Sequence, residues 1–105
     1  MLASPFVDQR ENIVRLCRRF GVERLGLFGS ASRTEFPEES NDFDFLVVFR
    51  DDHSGQLFDR FFGLKESLED LFRKPVDLVE ERAIRNPYFR EQVEAERVWV
   101  YGQEN

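Results

Sequence analysis

One run of residues limits the folds open to this chain more than any other: "DFDFLVVF", residues 42–49. From Phe43 onward it is apolar at odd and even positions alike. A strand of that kind needs cover on both faces, so it suits the interior of a sheet flanked by helices. Yet two aspartates, Asp42 and Asp44, stand at its mouth. Alternate residues on a strand share a face, which aims both carboxylates the same way, roughly 6–7 Å apart along the backbone. Like charges at that spacing repel, and the repulsion calls for a compensating group.

The rest of the chain supplies the cover. A first helix is expected from about Ser4 or Asp8 to Phe20, with Ser4-Pro5 as cap and first turn and Gly21 just beyond its end. Ile13, Leu16, Cys17 and Phe20 recur at i, i+3, i+4, i+7 and form one apolar stripe, on which Cys17 reads as core filler. "RLGLF" (24–28) is a short strand running into Gly29; "SASRTEF" reads as a short helix and "PEESN" as turn chemistry. After the 42–49 strand, the loop "RDDHSG" carries a solvated His53 and offers Ser54 as an N-cap. The helix that follows, to about Arg73, has a wide apolar face of Leu57, Phe58, Phe61, Phe62, Leu64, Leu68, Leu71 and Phe72, and Lys74-Pro75 ends it. "VDLV" (76–79) is a third strand. Asn86-Pro87 starts a helix through about Ala95, and "RVWVY" (97–101) is a last strand. The order α-β-α-β-α-β-α-β predicts an α/β (α+β) fold, a small mixed sheet with helices packed against it.

Composition narrows the function classes. The 105 residues suit a single domain spanning 1–105, and 41% hydrophobic with 34% charged residues is the balance of a folded soluble protein. No apolar run approaches transmembrane length and the first residues lack a signal-peptide core, so a cytoplasmic protein with no membrane partner is expected. A lone cysteine excludes an internal disulfide and a cysteine-rich zinc site. The net charge of −6 argues against a domain that grips nucleic acid through its phosphates. It leaves room for a small anionic ligand that arrives with a cation.

Asp77 adds to the puzzle by interrupting the apolar stretch "PVDLV". A buried ionised carboxylate without a partner costs several kcal/mol. Each of the three has an ordinary explanation: Asp42 can cap the turn at "SND", while Asp44 and Asp77 can each pair with an arginine. Taken together they fit a hard divalent cation, because Mg²⁺ takes carboxylate oxygens and paired metals suit in-line phosphoryl chemistry. Gly29-Ser30 is the second half of the constellation. A glycine after a strand lets the backbone approach a ligand closely, and Ser30 adds a hydroxyl donor.

"FGSASR", then "NDFDFLVVF", then "VDLV" and a terminal "E..RVWVYG" together resemble the minimal nucleotidyltransferases of the DNA polymerase beta-like superfamily, across nearly the whole chain. The resemblance implies the palm fold of that superfamily. It implies Gly29 and Ser30 on the nucleotide triphosphate, with Arg33 orienting the loop or the phosphates. It further implies two Mg²⁺ ions on Asp42, Asp44 and Asp77, the last also activating the acceptor hydroxyl. These domains are often paired with HEPN-domain toxins, so AMP transfer from ATP to a protein hydroxyl is implied, the acceptor being a tyrosine of a cognate HEPN toxin in a type VII toxin–antitoxin pair. Neutralisation by contact alone and transfer to another hydroxyl acceptor stand beside it as alternatives, and the oligomeric state is left open. Two departures from the family pattern fall in one turn: Asn41 stands where serine is common, and the Ser30-to-Asp42 spacing is one residue longer than usual.

Overall fold

Residues 5–102 are described by the structure, a computed structural model. Four strands, β1 (Val22–Phe28), β2 (Phe43–Phe49), β3 (Val76–Glu80) and β4 (Val98–Tyr101), form one sheet in the order β3-β2-β1-β4. Three α-helices, α1 (Arg10–Arg19), α2 (Leu57–Phe72) and α3 (Pro87–Glu96), complete the regular structure with short 3₁₀ turns. β1 pairs antiparallel with β2 and with β4, whereas β2 and β3 run parallel, so the sheet is mixed as expected. Among the described residues no helix is long and apolar enough to cross a membrane.

The double-sided apolar run does what its pattern demands. Phe43, Phe45, Val47 and Phe49 of β2 face one layer, where they meet Ile13 and Cys17 of α1 and Leu64 and Leu68 of α2. Leu46 faces the other side and packs with Phe28 and with Val93 of α3. Phe6, Phe43, Phe45 and Phe72 pack ring against ring in the first layer, with centroids 5.2 Å apart for Phe6–Phe43 and 5.3 Å for Phe6–Phe72. Contacts of that geometry add to plain area burial.

Several local expectations hold. Gly21 follows α1 with φ 66°, the left-handed conformation a helix terminus favours. Asn86 caps α3 through its Oδ1, which accepts from the amides of Tyr88 (2.8 Å) and Phe89 (3.2 Å). Ser4 lies outside the described residues, and α1 begins at Arg10.

Others need correction. Ser54 does not cap α2; the helix starts at Leu57 after Gln56, with no side-chain cap bond. His53 is bonded rather than merely solvated. Its Nδ1 accepts from the Gly55 amide (2.9 Å), and its Nε2 stands 3.2 Å from the Arg19 carbonyl. The short helix expected in "SASRTEF" is a single 3₁₀ turn, Ser30–Arg33, and "PEESN" carries a second, Pro37–Glu39. The apolar face of α2 is narrower than its composition, since Leu57, Phe58 and Phe62 are exposed at its first turns. Helical spacing puts Arg60 on the buried side instead. Its guanidinium donates to the carbonyls of Phe20 (2.9 Å), Gly21 (2.7 Å) and Arg50 (2.8 Å), tying the end of α1 to the end of β2. Those carbonyls lie where α1 and β2 end, and the Gly21 carbonyl also accepts from the Arg50 amide (2.8 Å).

Cys17 is fully buried, and burial pushes its thiol from the ordinary 9.0 up to about 12. The neutral thiol therefore supports the fold below pH 9.0, and that support is lost as the pH rises toward about 12. Native protein should leave Cys17 unmodified by a thiol-specific reagent at about pH 8 and react fully once denatured. Prompt stoichiometric reaction of the native state would contradict this packing.

Candidate functional site

Ladder register builds the site. Asp44 is the second residue of β2, and its neighbours across the sheet are Phe28 of β1 and Asp77 of β3. By strand alternation Asp44 shares its face with Leu46, the face that α3 covers. Gly29 follows Phe28 immediately and adopts φ 73°, a conformation that excludes most side chains. A Cβ at this position would also run into Asp44 Oδ2. Position 29 is thus glycine for two independent reasons, one backbone and one steric.

Beyond Gly29 the chain tightens into the 3₁₀ turn Ser30–Arg33. Ser32 closes it, donating to the Gly29 carbonyl from its amide (3.1 Å) and its hydroxyl (2.7 Å). Ala31 is buried, while Ser30 and Arg33 are exposed. The Gly29 amide and the Arg33 guanidinium both bind one residue, Glu96 at the end of α3: Gly29 N–H donates to Oε1 at 3.2 Å and Arg33 Nη1 to Oε2 at 2.7 Å. Below the loop, Lys74 Nζ donates to the Ser40 carbonyl (2.7 Å) and the Phe43 amide donates to the Pro75 carbonyl (3.0 Å). The Lys74-Pro75 pair therefore does more than end α2; it moors the turn that carries Asp42.

Electrostatically the three aspartates differ. Asp42 and Asp77 are exposed, and only Asp44 is half-buried. The desolvation cost expected of all three thus falls on one. Asp42 precedes the first ladder residue of β2, and Asp77 sits near the start of an edge strand, so both reach water. The Asp44 carboxyl is held above the usual carboxylate range by burial first, then by the negative charges of Asp42, Asp77 and Glu96, against the opposing pull of Arg33.

Three carboxylates on adjacent strands are the hard oxygen donors that Mg²⁺ takes, and their mutual repulsion is of the kind a cation relieves. Among the described residues, no three His, Cys, Asp or Glu side chains are drawn together into a finished metal cluster. The donor set fits the ion in chemistry, with the carboxylates adjacent rather than closed around a point.

Gly29, Ser30, Arg33, Asp42, Asp44 and Asp77, the residues singled out from sequence, all lie at one end of the sheet, at or beside the β1–β2 and β2–β3 junctions. Lys74 and Glu96 were missed. A signal for Glu96 did exist: an acidic side chain closing a helix opposes the helix dipole and needs donors from elsewhere.

Comparison with known proteins identifies the family and the fold. The profile of the family described as nucleotidyltransferase domain matches residues 10–100. A relative from Thermococcus cleftensis, named protein adenylyltransferase MntA, is 41% identical over 71 residues, 68% of each chain. A solved structure provisionally described as a minimal nucleotidyltransferase is 38% identical, with a TM-score of 0.70 over 93% of this chain and 95% of that one. The fold is also that of the solved complex of a tri-AMPylated Shewanella oneidensis HEPN toxin with its MNT antitoxin, at 21% identity and a TM-score of 0.63, covering 93% of this chain and 73% of that one.

The interlock of Gly29 with Asp44 has a measurable cost. Gly29→Ala should lower the unfolding free energy by about 2 kcal/mol in urea titrations, from positive-φ strain plus the clash. The loss should shrink in an Asp44→Ala background, where only the backbone strain remains. Equal losses in both backgrounds would refute the interlock.

Proposed function

The chain belongs to the nucleotidyltransferase domain family, and from that premise we propose that it transfers AMP from ATP to a hydroxyl of a protein acceptor, a tyrosine of a HEPN-domain toxin, and so serves as the antitoxin of a type VII pair. The observation that carries this reading is the seating of the Asp44 carboxylate in the space that a side chain at Gly29 would fill. That contact supports reading the glycine loop and Asp44 as parts of one site. Support for AMP and for a protein acceptor comes from the relative named protein adenylyltransferase and from the fold shared with the antitoxin of an AMPylated HEPN toxin.

In this reading Gly29 N–H, Ser30 and Arg33 hold the triphosphate, and Asp42, Asp44 and Asp77 hold Mg²⁺. When bound, the ion neutralises the phosphates and favours the alkoxide form of the acceptor. The acceptor oxygen forms its bond to the α-phosphorus, the bond from that phosphorus to the β-phosphate bridge breaks, and pyrophosphate leaves with the bonding pair. Asp77, exposed beside Asp44, takes the hydroxyl proton. Arg33 and the Gly29 amide meet the charge that builds on the leaving group. An acidic protein can work this way because the cation travels with the nucleotide.

Neutralisation by contact has its own support in the exposed aromatic side chains of α2, where Phe58 is 70% and Phe62 44% exposed. The two readings part on one experiment. Incubation with ATP, Mg²⁺ and the cognate toxin should add AMP-sized mass increments to the toxin. Asp42→Asn/Asp44→Asn should slow that transfer roughly a hundredfold or more, with the fold retained by circular dichroism. A double variant that still silences the toxin in cells would establish contact as sufficient, and a wild-type protein that adds no mass would overturn transfer.

A further inference from the structure

The loop assigned above to the nucleotide phosphates is already holding an anion, and that anion belongs to the protein. The two oxygens of the Glu96 carboxylate span the Gly29 amide (3.2 Å) and the Arg33 guanidinium (2.7 Å), as two oxygens of a phosphate would. Its side chain is only 17% exposed, whereas that of Arg33 is 55% exposed, so the carboxylate is the inner partner and the arginine the outer one. Nothing local favours an acid here. Glu96 is the last residue of α3, where the helix dipole is negative, and it adds to the negative charge that raises Asp44. A carboxylate in so unfavourable a place is held by its two donors, and those are two of the groups a triphosphate needs.

We propose that Glu96 is a resident competitor for nucleotide phosphate: it occupies the Gly29–Arg33 cradle in the nucleotide-free protein and must be displaced for the triphosphate to bind. The inference rests on the reading of that cradle as the triphosphate site. A polyphosphate carries more charge than a carboxylate and forms the stronger charge-assisted hydrogen bonds, so the exchange runs in its favour once the cation accompanies it. Glu96 has an alternative donor one helical turn back, Gln92 Nε2, which stands 3.5 Å from Oε2 on the exposed side of α3. Rotation toward Gln92 frees both the Gly29 N–H and Arg33 without unwinding the helix. The exchange tunes affinity: the empty cradle is kept neutralised and ordered, and only a ligand able to outbid a tethered carboxylate enters it.

The test is a calorimetric titration of full-length wild type and Glu96→Gln with Mg·ATP, and separately with inorganic pyrophosphate and Mg²⁺. The amide variant keeps the shape of the side chain but loses the charge. It should bind both ligands roughly three- to tenfold more tightly, and KM for ATP should fall by the same factor with kcat unchanged or lower. Glu96→Asp, one methylene too short to span both donors, should shift affinity in the same direction and serves if the Gln variant unfolds. A side chain that merely supported the loop would give the opposite result, with weaker binding or a higher KM in both variants. Equal or weaker binding in the variants overturns the competitor while leaving the cradle intact. Failure of every form, wild type included, to bind either ligand overturns the cradle and the competitor with it.

Discussion

Both edges of β2 are paired, with β1 antiparallel on one side and β3 parallel on the other, and Asp44 and Asp77 take their places from that double ladder. The pairing sets Asp44 between Phe28 and Asp77 and brings Gly29, the next residue after Phe28, against its carboxylate. A slip of one residue would turn Asp44 to the opposite face, into the layer of Phe43 and Phe45, and would expose those rings. The apolar side chains on both faces make that slip costly, so the core enforces the geometry of the site. Burial of Phe43, Phe45, Leu46, Val47 and Val48 is what aims a carboxylate they never touch chemically.

The two ends of the sheet have been given different work. At the end where α1 finishes and β2 runs out, the buried Arg60 gathers three carbonyls and stacks over the Phe49 ring at 4.9 Å, a clamp between helix and strand. The opposite end carries short 3₁₀ turns, exposed acids and the Arg33–Glu96 ion pair. Loops on a rigid frame can present backbone amides and charged groups that a packed strand cannot. Lys74 links the two regimes. It holds the Ser40 carbonyl from the base of β3, so the long turn before Asp42 rests on the frame despite its extra residue.

Charge at the site end is unbalanced: Asp42, Asp77 and Glu96 act together on the half-buried Asp44, with Arg33 opposing. Such an arrangement is poor at stabilising a fold and well suited to receiving a cation and a polyphosphate together. That asymmetry accounts for how a chain with a net charge of −6 belongs to a family that handles nucleotides.

Much of this molecule was legible in its residues because the signals were local. A β-prone strand apolar at both parities fits an interior place, Asn86-Pro87 fits a cap and first turn, and Gly29 after a strand marks a turn; each follows from the backbone and its nearest neighbours. The acidic pair and the distant Asp77 could be grouped because each interrupts an apolar strand where a carboxylate is costly, and because the motifs together resemble a known family. What local pattern could not supply was which groups meet across the sheet. The exposed first turns of α2, the buried Arg60, the mooring by Lys74 and the grip of Glu96 on Gly29 and Arg33 join residues up to 67 positions apart. Sequence alone determined the interior strand, the element order and the acidic, glycine-marked character of the site. Tertiary structure decided which carboxylate is buried and which donors are already taken, because burial and hydrogen-bond partnership belong to packed surfaces rather than to any stretch of chain.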